Sequence, residues 1–286
     1  MTGLQNTGEQ DPAVDSIDAD LKLIRKAVRE AGLLALDYYS ERRKNGAWLK
    51  EDGTSVSDAD IAVDRLLRER LQGARPDYGW LSEETIDDLG RLEKQRVFIV
   101  DPIDGTRAFL KNKPHWVISV ALVVAGATEI GCLYNPVADE FFEAVRGQGA
   151  RLNGNPVKVG DRNEIEGSTI IASPDSFRSK KWPQKWPVVS TFTVNSIAYR
   201  VALVAANRAD AMLTLSGTND WDLAAAVLIL REAGGVITDH KGNPFAFNTG
   251  NTRHMSVLAA GPHLHEKMLQ RTRLVEPGKR LGSEPE

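Results

Sequence analysis

The first sustained pattern in the chain is helical. Leu21, Ile24, Val28, Ala31 and Ala35 recur at three-to-four spacing and predict an amphipathic helix over about residues 18–39. A second helix is expected after Ser57, where Ser57-Asp58-Ala59-Asp60 reads as a capping box with Asp in the Glu position. Ile61, Leu67 and Leu71 supply its inward face, and Glu51-Asp52-Gly53-Thr54 is turn chemistry that sets the two helices antiparallel. Residues 97–100 (Val-Phe-Ile-Val) then predict a short buried strand ending at Asp101. Residues 116–124, 129–134 and 140–145 predict three more strands, and the turn residues between them predict an antiparallel meander. Gly147-Gln148-Gly149 and Asn153-Gly154-Asn155-Pro156 break the pattern and mark a soft boundary. Beyond it, strands (168–172, 211–215, 236–239, 256–260) alternate with helices (196–206, 222–233 and one from His263), which implies an α/β layer arrangement. The organisation expected is a loose N-terminus (1–17), an N-terminal α+β region (18–150), a C-terminal α/β region (151–275) and a loose tail (276–286), the two regions packed as one compact unit.

Composition narrows the function classes. With 42% hydrophobic and 26% charged residues over 286, the chain is ordinary for a globular protein. A net charge of −3 and a pI near 6.0 give no basic field for a nucleic acid polymer or an anionic membrane. Any anionic substrate is therefore attracted locally, by metal ions or helix ends. The single cysteine, Cys132, lies in an apolar run and reads as a buried thiol in a reducing compartment. No signal-like apolar region opens the chain and no stretch reaches the length of a membrane span, so a cytoplasmic location is expected.

The candidate chemistry is acidic. Asp101 and Asp104 flank Pro102-Ile103 at the end of a buried strand, and proline stiffens the turn so that the Ile103 carbonyl can face the same way as the carboxylates. Gly105-Thr106 opens a short helix whose backbone N–H groups suit an anion. Carboxylates that hold two divalent cations can clamp a phosphate and acidify water, and Mg²⁺ prefers such oxygen ligands. The plainer reading makes Asp101 and Asp104 turn and cap residues. Glu83-Glu84, taken alone, reads as a solvated loop. Asp222 opens an almost wholly apolar, hence buried, helix and is either an N-cap or a site residue. The five histidines show no metal-ligand spacing, and His263 and His265 read as surface residues near the last helix.

Together, Asp101-Pro-Ile-Asp-Gly-Thr106, Glu83-Glu84 upstream, and Trp221-Asp222-x-Ala-Ala with Glu232-Ala-Gly-Gly235 downstream closely resemble the inositol monophosphatase superfamily. Lys50…Thr54-Ser55-Val56-Ser57-Asp58-Ala59-Asp60 resembles its first active-site segment, with Ser55 and Ser57 where Ser-Pro-Val-Thr is usual, so the proline is missing. The resemblance covers about residues 18–270. It implies a layered αβαβα sandwich and a Mg²⁺-dependent phosphoric monoester hydrolase, with direct attack by water and inhibition by Li⁺ common among members. By it, Glu83, Asp101 and the Ile103 carbonyl hold one metal. Asp101, Asp104 and Asp222 hold a second, and a third rests weakly on Glu83. Thr106, paired with Asp60, orients the attacking water together with Glu83. Asp104, Gly105, Thr106, Asp222 and Lys50 line the phosphate and substrate site, although Lys50 by itself reads as a solvated loop residue.

The resemblance divides on substrate. Inositol-specific members carry an acidic residue shortly before Trp-Asp, and residues 211–217 here hold no carboxylate. Thr218-Asn219-Asp220-Trp221-Asp222 is similar to the 3′(2′),5′-bisphosphate nucleotidase form, for whose second phosphate Arg178, Lys180 and Lys181 are candidate cations. Thr106-Arg107-Ala108-Phe109 with Pro114-His115-Trp116 is similar to the histidinol-phosphatase branch. A bisphosphate nucleotidase-like activity is the leading expectation, with an inositol-1-monophosphatase or sugar phosphatase and a histidinol-phosphatase as alternatives. A non-catalytic metal- or phosphate-binding module is the alternative of another class. A haloacid-dehalogenase-type aspartyl phosphatase is disfavoured, because its two acids stand two residues apart and here the separation is three. Family members are often homodimers.

Overall fold

The computed structural model describes residues 12–40, 47–49, 55–173, 175–178 and 182–275. In chain order they form α1 (Pro12–Ser40), β1 (Ala47–Leu49), β2 (Ser55–Ser57), α2 (Asp58–Ala74), β3 (Gly79–Ser82), β4 (Arg96–Asp104), α3 (Thr106–Leu110), β5 (Val117–Val124), β6 (Ala127–Asn135), β7 (Glu140–Val145), β8 (Ala150–Leu152) and β9 (Asn155–Val157). There follow β10 (Thr169–Ile171), α4 (Asp175–Arg178), β11 (Ser190–Phe192), α5 (Ile197–Ala205), β12 (Ala211–Thr214), β13 (Thr218–Asn219), α6 (Asp220–Glu232), β14 (Val236–Thr238), β15 (Arg253–His254), β16 (Val257–Ala260) and α7 (Pro262–Thr272).

A seven-stranded sheet runs β3-β4-β5-β6-β7-β8-β9. It is antiparallel apart from β3, which lies parallel to β4. Period-two alternation along β4 sends neighbours into opposite cores. Phe98 and Val100 meet Ile24, Val28, Val63 and Leu67 of α1 and α2. Val97 and Ile99 meet the apolar helices α5 and α6. The far side of that inner helical layer packs on a five-stranded sheet, β11-β10-β12-β16-β14, through Ile171, Met212, Ile237 and Val257. The outer face of this sheet is covered by Leu264 and Met268 of α7 and by Trp182 and Trp186. The order is αβαβα, as the sequence led one to expect.

Several expectations need correction. Helix α1 starts at Pro12, inside the stretch read as a loose terminus; proline is pre-organised for a first helical position. Ile61 is 44% exposed, whereas Val63, Leu67 and Leu71 are buried. Counting about 100° per residue, Ile61 lies about 120° around α2 from Leu67, off the inward stripe. The segment before Glu83 is a buried four-residue strand, β3, too short to show a period. The strand read as ending at Asp101 runs on to Asp104. Residues 51–54, 1–11 and 276–286 lie outside the described residues. No described helix is long and apolar enough to cross a membrane.

His265, read as a surface residue, is buried on α7, with Nε2 3.0 Å from Thr238 Oγ1. Burial pushes its pKa down to about 4, so the folded chain keeps the ring neutral. An unfolded chain takes up that proton near pH 6.5, so between pH 6.5 and about 4 it binds more protons than the folded one. The stability contributed by this histidine is therefore complete above pH 6.5 and declines as pH falls through that window. Urea unfolding of the wild type and of His265→Gln should show a stability difference that shrinks on acidification. A pH-independent difference would contradict a neutral buried ring.

Candidate metal centre and active site

Three short pieces of chain converge at one end of β4. The first is β4 itself. In a regular strand, residues three apart point to opposite faces, yet Asp101 and Asp104 reach the same place. The pairing register with β5 shifts between Asp101 and Asp104, and the Ile103 N–H donates to Asp101 Oδ1 at 3.0 Å. This bulge turns the odd spacing to account by re-aiming Asp104. The second piece is the N-terminus of α6, which supplies Asp222. Carboxylate oxygens of Asp101, Asp104 and Asp222 lie within 4.8 Å of one another. The third is the end of β3, where the Glu83 N–H donates to the Val100 carbonyl at 3.3 Å and extends the ladder by one residue.

Each ligand candidate is fixed by backbone chemistry. Asp222 Oδ2 accepts from the Asn219 N–H at 2.7 Å, at the third position of α6. Asp222 is not the N-cap of α6, which is Asn219, but the third helical residue that closes its capping box, and it stands in the carboxylate cluster. Asp60 does the same for α2: its Oδ2 accepts the Ser57 N–H at 2.8 Å, and its Oδ1 lies 3.1 Å from Thr106 Oγ1. Thr106 Oγ1 is also 3.2 Å from the Ile103 carbonyl, so its one proton serves one acceptor at a time. Asp104 is tied to the start of α5: Oδ2 accepts from Ser196 Oγ and from the Ala198 N–H at 2.6 Å, and Oδ1 from the Ile197 N–H at 3.2 Å. Gly105 between them has φ +105°, and an added Cβ would sit 2.9 Å from the His115 carbonyl oxygen. Only glycine suits that position.

Electrostatically the carboxylates of the cluster repel one another, and the donors around Asp104 and Asp222 offset this only in part. Burial, then Glu83, Asp104, Asp222 and Asp60, push the Asp101 carboxyl well above its ordinary value. Burial, then Asp104 and Glu83, do the same to Asp222. Asp104 is raised by burial, against the hydrogen bonds from Ser196, Ala198 and Ile197 and the charge of Arg200. Asp101 Oδ2 is buried, and no N–H or hydroxyl donor among the described residues reaches it. A buried carboxylate oxygen with no donor, beside two more carboxylates and Glu83, fits a hard divalent cation.

The sequence profile of the inositol monophosphatase family matches residues 17–275. The chain belongs to the inositol monophosphatase family. Nus factor SuhB of Escherichia coli K12 is 30% identical over 262 residues, covering 88% of this chain and 95% of that protein. The solved structure of extragenic suppressor protein SuhB from Bartonella henselae superposes with TM-score 0.76 at 30% identity, over 89% of this chain and 98% of that one. The IMPase of Thermotoga maritima superposes with TM-score 0.74 at 26% identity, over 90% and 96%.

Of the residues singled out in this family member, Asp60, Glu83, Asp101, Ile103, Asp104, Gly105, Thr106 and Asp222 are brought to one end of β4. Lys50, Lys180 and Lys181 lie outside the described residues, and of Arg178 only its place on α4 is described. Cys132 is a buried thiol whose pKa burial raises. Sequence reading missed three supports. Asp64, one helical turn after Asp60, accepts from Ser82 Oγ and, at 3.0 Å, from Thr85 Oγ1, and so braces the residues on either side of Glu83. The spacing of four on α2 was the available signal. Ser196 and Arg200 flank Asp104 from 92 or more positions away, and no local pattern announces them. Asp220, by contrast, spends its carboxylate on His254 Nε2 at 2.8 Å and the Asn248 N–H at 3.2 Å.

Proposed function

We propose that this chain is a Mg²⁺-dependent phosphatase of small phosphate monoesters, whose preferred substrate is a nucleoside 3′(2′),5′-bisphosphate. The observation that carries the hydrolytic reading is the buried oxygen of Asp101, beside Asp104 and Asp222, that no donor among the described residues reaches. Those three carboxylates, Glu83 and the Ile103 carbonyl are the groups that would hold two or three Mg²⁺ ions. Bound there, Mg²⁺ supplies charge neutralisation for the phosphoryl oxygens and an acidified water.

The protein's own groups do the rest. With its proton donated to Asp60, the Thr106 hydroxyl offers lone pairs to a water and fixes the direction of attack. The N–H groups of Gly105, the N-cap of α3, and of Thr106, its first residue, have no partner within the helix and suit the phosphate oxygens. Two features support the bisphosphate reading over inositol: residues 211–217 carry no carboxylate, and residues 218–222 are similar to the nucleotidase form. The pI near 6.0 argues for a small substrate over a polymer.

The test is phosphate release from adenosine 3′,5′-bisphosphate, inositol 1-phosphate and histidinol phosphate, compared by kcat/KM with and without Mg²⁺. The bisphosphate should lead by at least tenfold, all release should need the metal, and Thr106→Ala should lower kcat by about 10²-fold with KM little changed. Leadership by another ester would replace the substrate. Undiminished turnover by Thr106→Ala would remove that residue from the mechanism. A second reading, a non-catalytic role, draws on the relatives that bear the name Nus factor. It predicts no turnover of any of the three esters while Mg²⁺ still raises Tm.

A further inference from the structure

Glu83 and Asp222 come from separate elements, and burial, Asp104 and Glu83 together push the Asp222 carboxyl up. Some group must hold these two segments at a fixed span, and Arg91 is placed to do so. It lies on a 3₁₀ turn (Gly90–Glu93) downstream of Glu83, with its side chain 1% exposed. Nε and Nη2 donate to Asp87 Oδ1 and Oδ2 at 3.0 and 2.7 Å, a bidentate pair. Nη1 donates to Asn248 Oδ1 at 2.8 Å, and Nη2 also to the Thr249 carbonyl at 3.0 Å. Asn248 in turn gives its N–H to Asp220 Oδ2 at 3.2 Å, and Asp220 is the first residue of α6. A continuous run of hydrogen bonds thus joins Asp87, shortly after Glu83, to the helix start that carries Asp222.

Both ends of this bridge are pinned. On one side, Asp64 holds Ser82 and Thr85 and Arg91 holds Asp87, so Glu83 sits in a segment fixed before and after it. Ile86, between the two anchors, is 95% exposed and adds no packing of its own. On the other side, Asp220 Oδ1 meets His254, whose ring stands edge-on to Phe245 and Phe247 at 5.0 and 6.0 Å. The backbone is bent to suit: Leu89 has φ +64° and gives its N–H to Asp87 Oδ1 at 3.0 Å, and Asn248 has φ +56°. A leucine in the left-handed region is strained and persists only where its surroundings over-determine it. Burial raises the Asp87 carboxyl, but Arg91 and the Leu89 N–H outweigh it and hold Asp87 below its ordinary value. A buried ion pair adds little stability over apolar side chains of the same volume, so what this one contributes is geometry.

We propose that Arg91 is a positioning residue that sets the ion preference of the site: by tying the Glu83 segment to the start of α6, it fixes the span between Glu83 and Asp222 at the size Mg²⁺ requires. Mg²⁺ demands near-ideal octahedral geometry at about 2.0–2.1 Å, whereas Ca²⁺ accepts more oxygens at about 2.3–2.6 Å in flexible arrangements. A loosened span therefore costs Mg²⁺ more than Ca²⁺. The assignment rests on the metal part of the proposed function and is independent of which ester is cleaved.

Isothermal titration calorimetry with Mg²⁺ and with Ca²⁺, without substrate, tests it in the wild type, Arg91→Met, Arg91→Lys and Asn248→Gly. Glycine keeps the left-handed backbone at position 248 and the N–H to Asp220, and removes only the amide that meets Arg91. Arg91→Met and Asn248→Gly should weaken Mg²⁺ binding by at least about tenfold and Ca²⁺ binding by less than about threefold. Arg91→Lys, which offers no fork, should fall near Arg91→Met. Variants that keep the wild-type ratio of the two affinities, whether or not their Tm falls, would overturn the proposal. Should Arg91→Met fail to fold, Asn248→Gly decides. A wild type that prefers Mg²⁺ through Arg91 yet hydrolyses none of the three esters would bring down the phosphatase reading and leave the Arg91 assignment standing. A wild type that hydrolyses an ester, beside variants of unchanged ion preference, would do the reverse.

Discussion

Replacing Asp101 by Asn is expected to lower Mg²⁺-dependent phosphate release by at least about 10³-fold, equivalent to about 4 kcal/mol of barrier. Asn is isosteric, and its Oδ1 can still accept the Ile103 N–H that shapes the bulge. What is lost is the charge shared with Oδ2, a buried carboxylate oxygen that no donor among the described residues reaches. The same substitution should raise the Tm of the metal-free protein, because a neutral amide relieves the repulsion among Glu83, Asp104 and Asp222. Mg²⁺ should then raise Tm less than it does in the wild type. Thermal melts in chelator and in Mg²⁺, beside a turnover assay, check both halves. A variant that retains turnover within tenfold, or melts lower without metal, would contradict the assignment of Asp101 as a ligand held in a strained cluster.

Gly131→Ala is the second large effect, and it acts from outside the site. Gly131 lies on β6 where the sheet passes under α6, and an added Cβ would be 2.6 Å from the Ala225 carbonyl oxygen and 3.0 Å from its Cα. Backbone cannot yield as a side chain would, so α6 must move off the sheet. Overpacking of this kind costs about 1–3 kcal/mol. Because Asp222 rides on the first turn of α6, kcat should fall with stability, by more than tenfold at a temperature where the variant is still folded. Urea unfolding and kcat measured together test this. Loss of stability with full activity would show that α6 moves without carrying Asp222.

How much of this was legible beforehand follows from where the information sits. The α/β alternation was readable because the apolar period of α1 and the apolar run that opens β4 survive without tertiary context, whereas the αβαβα layering came from the family resemblance. Strand β3 was not, since Gly79–Ser82 is four residues with every one buried and therefore without alternation. Ile61 was assigned inward on hydrophobicity alone; its angular phase on α2 contradicted that, and burial follows phase. His265 looked superficial because a lone histidine carries no signal of what packs over it. At the site, Asp101, Asp104 and Thr106 were visible as one contiguous motif. Asp222 was ambiguous for a good reason, since the same carboxylate accepts the Asn219 N–H at the start of α6 and stands beside Asp101 and Asp104. Ser196 and Arg200 were invisible, because their relation to Asp104 is made only when α5 docks beside the end of β4.

Asp60 and Asp222 both stand at the third position of a helix and accept the N–H of the residue that precedes it. An exchange of Asp for Asn at either place leaves an oxygen for that N–H and removes the negative charge. Shape and chemistry in this protein can thus be uncoupled by a change of one functional group, with no intermediate that must survive unfolded. The fold of these two helix starts therefore does not report on whether the carboxylates beside them carry charge.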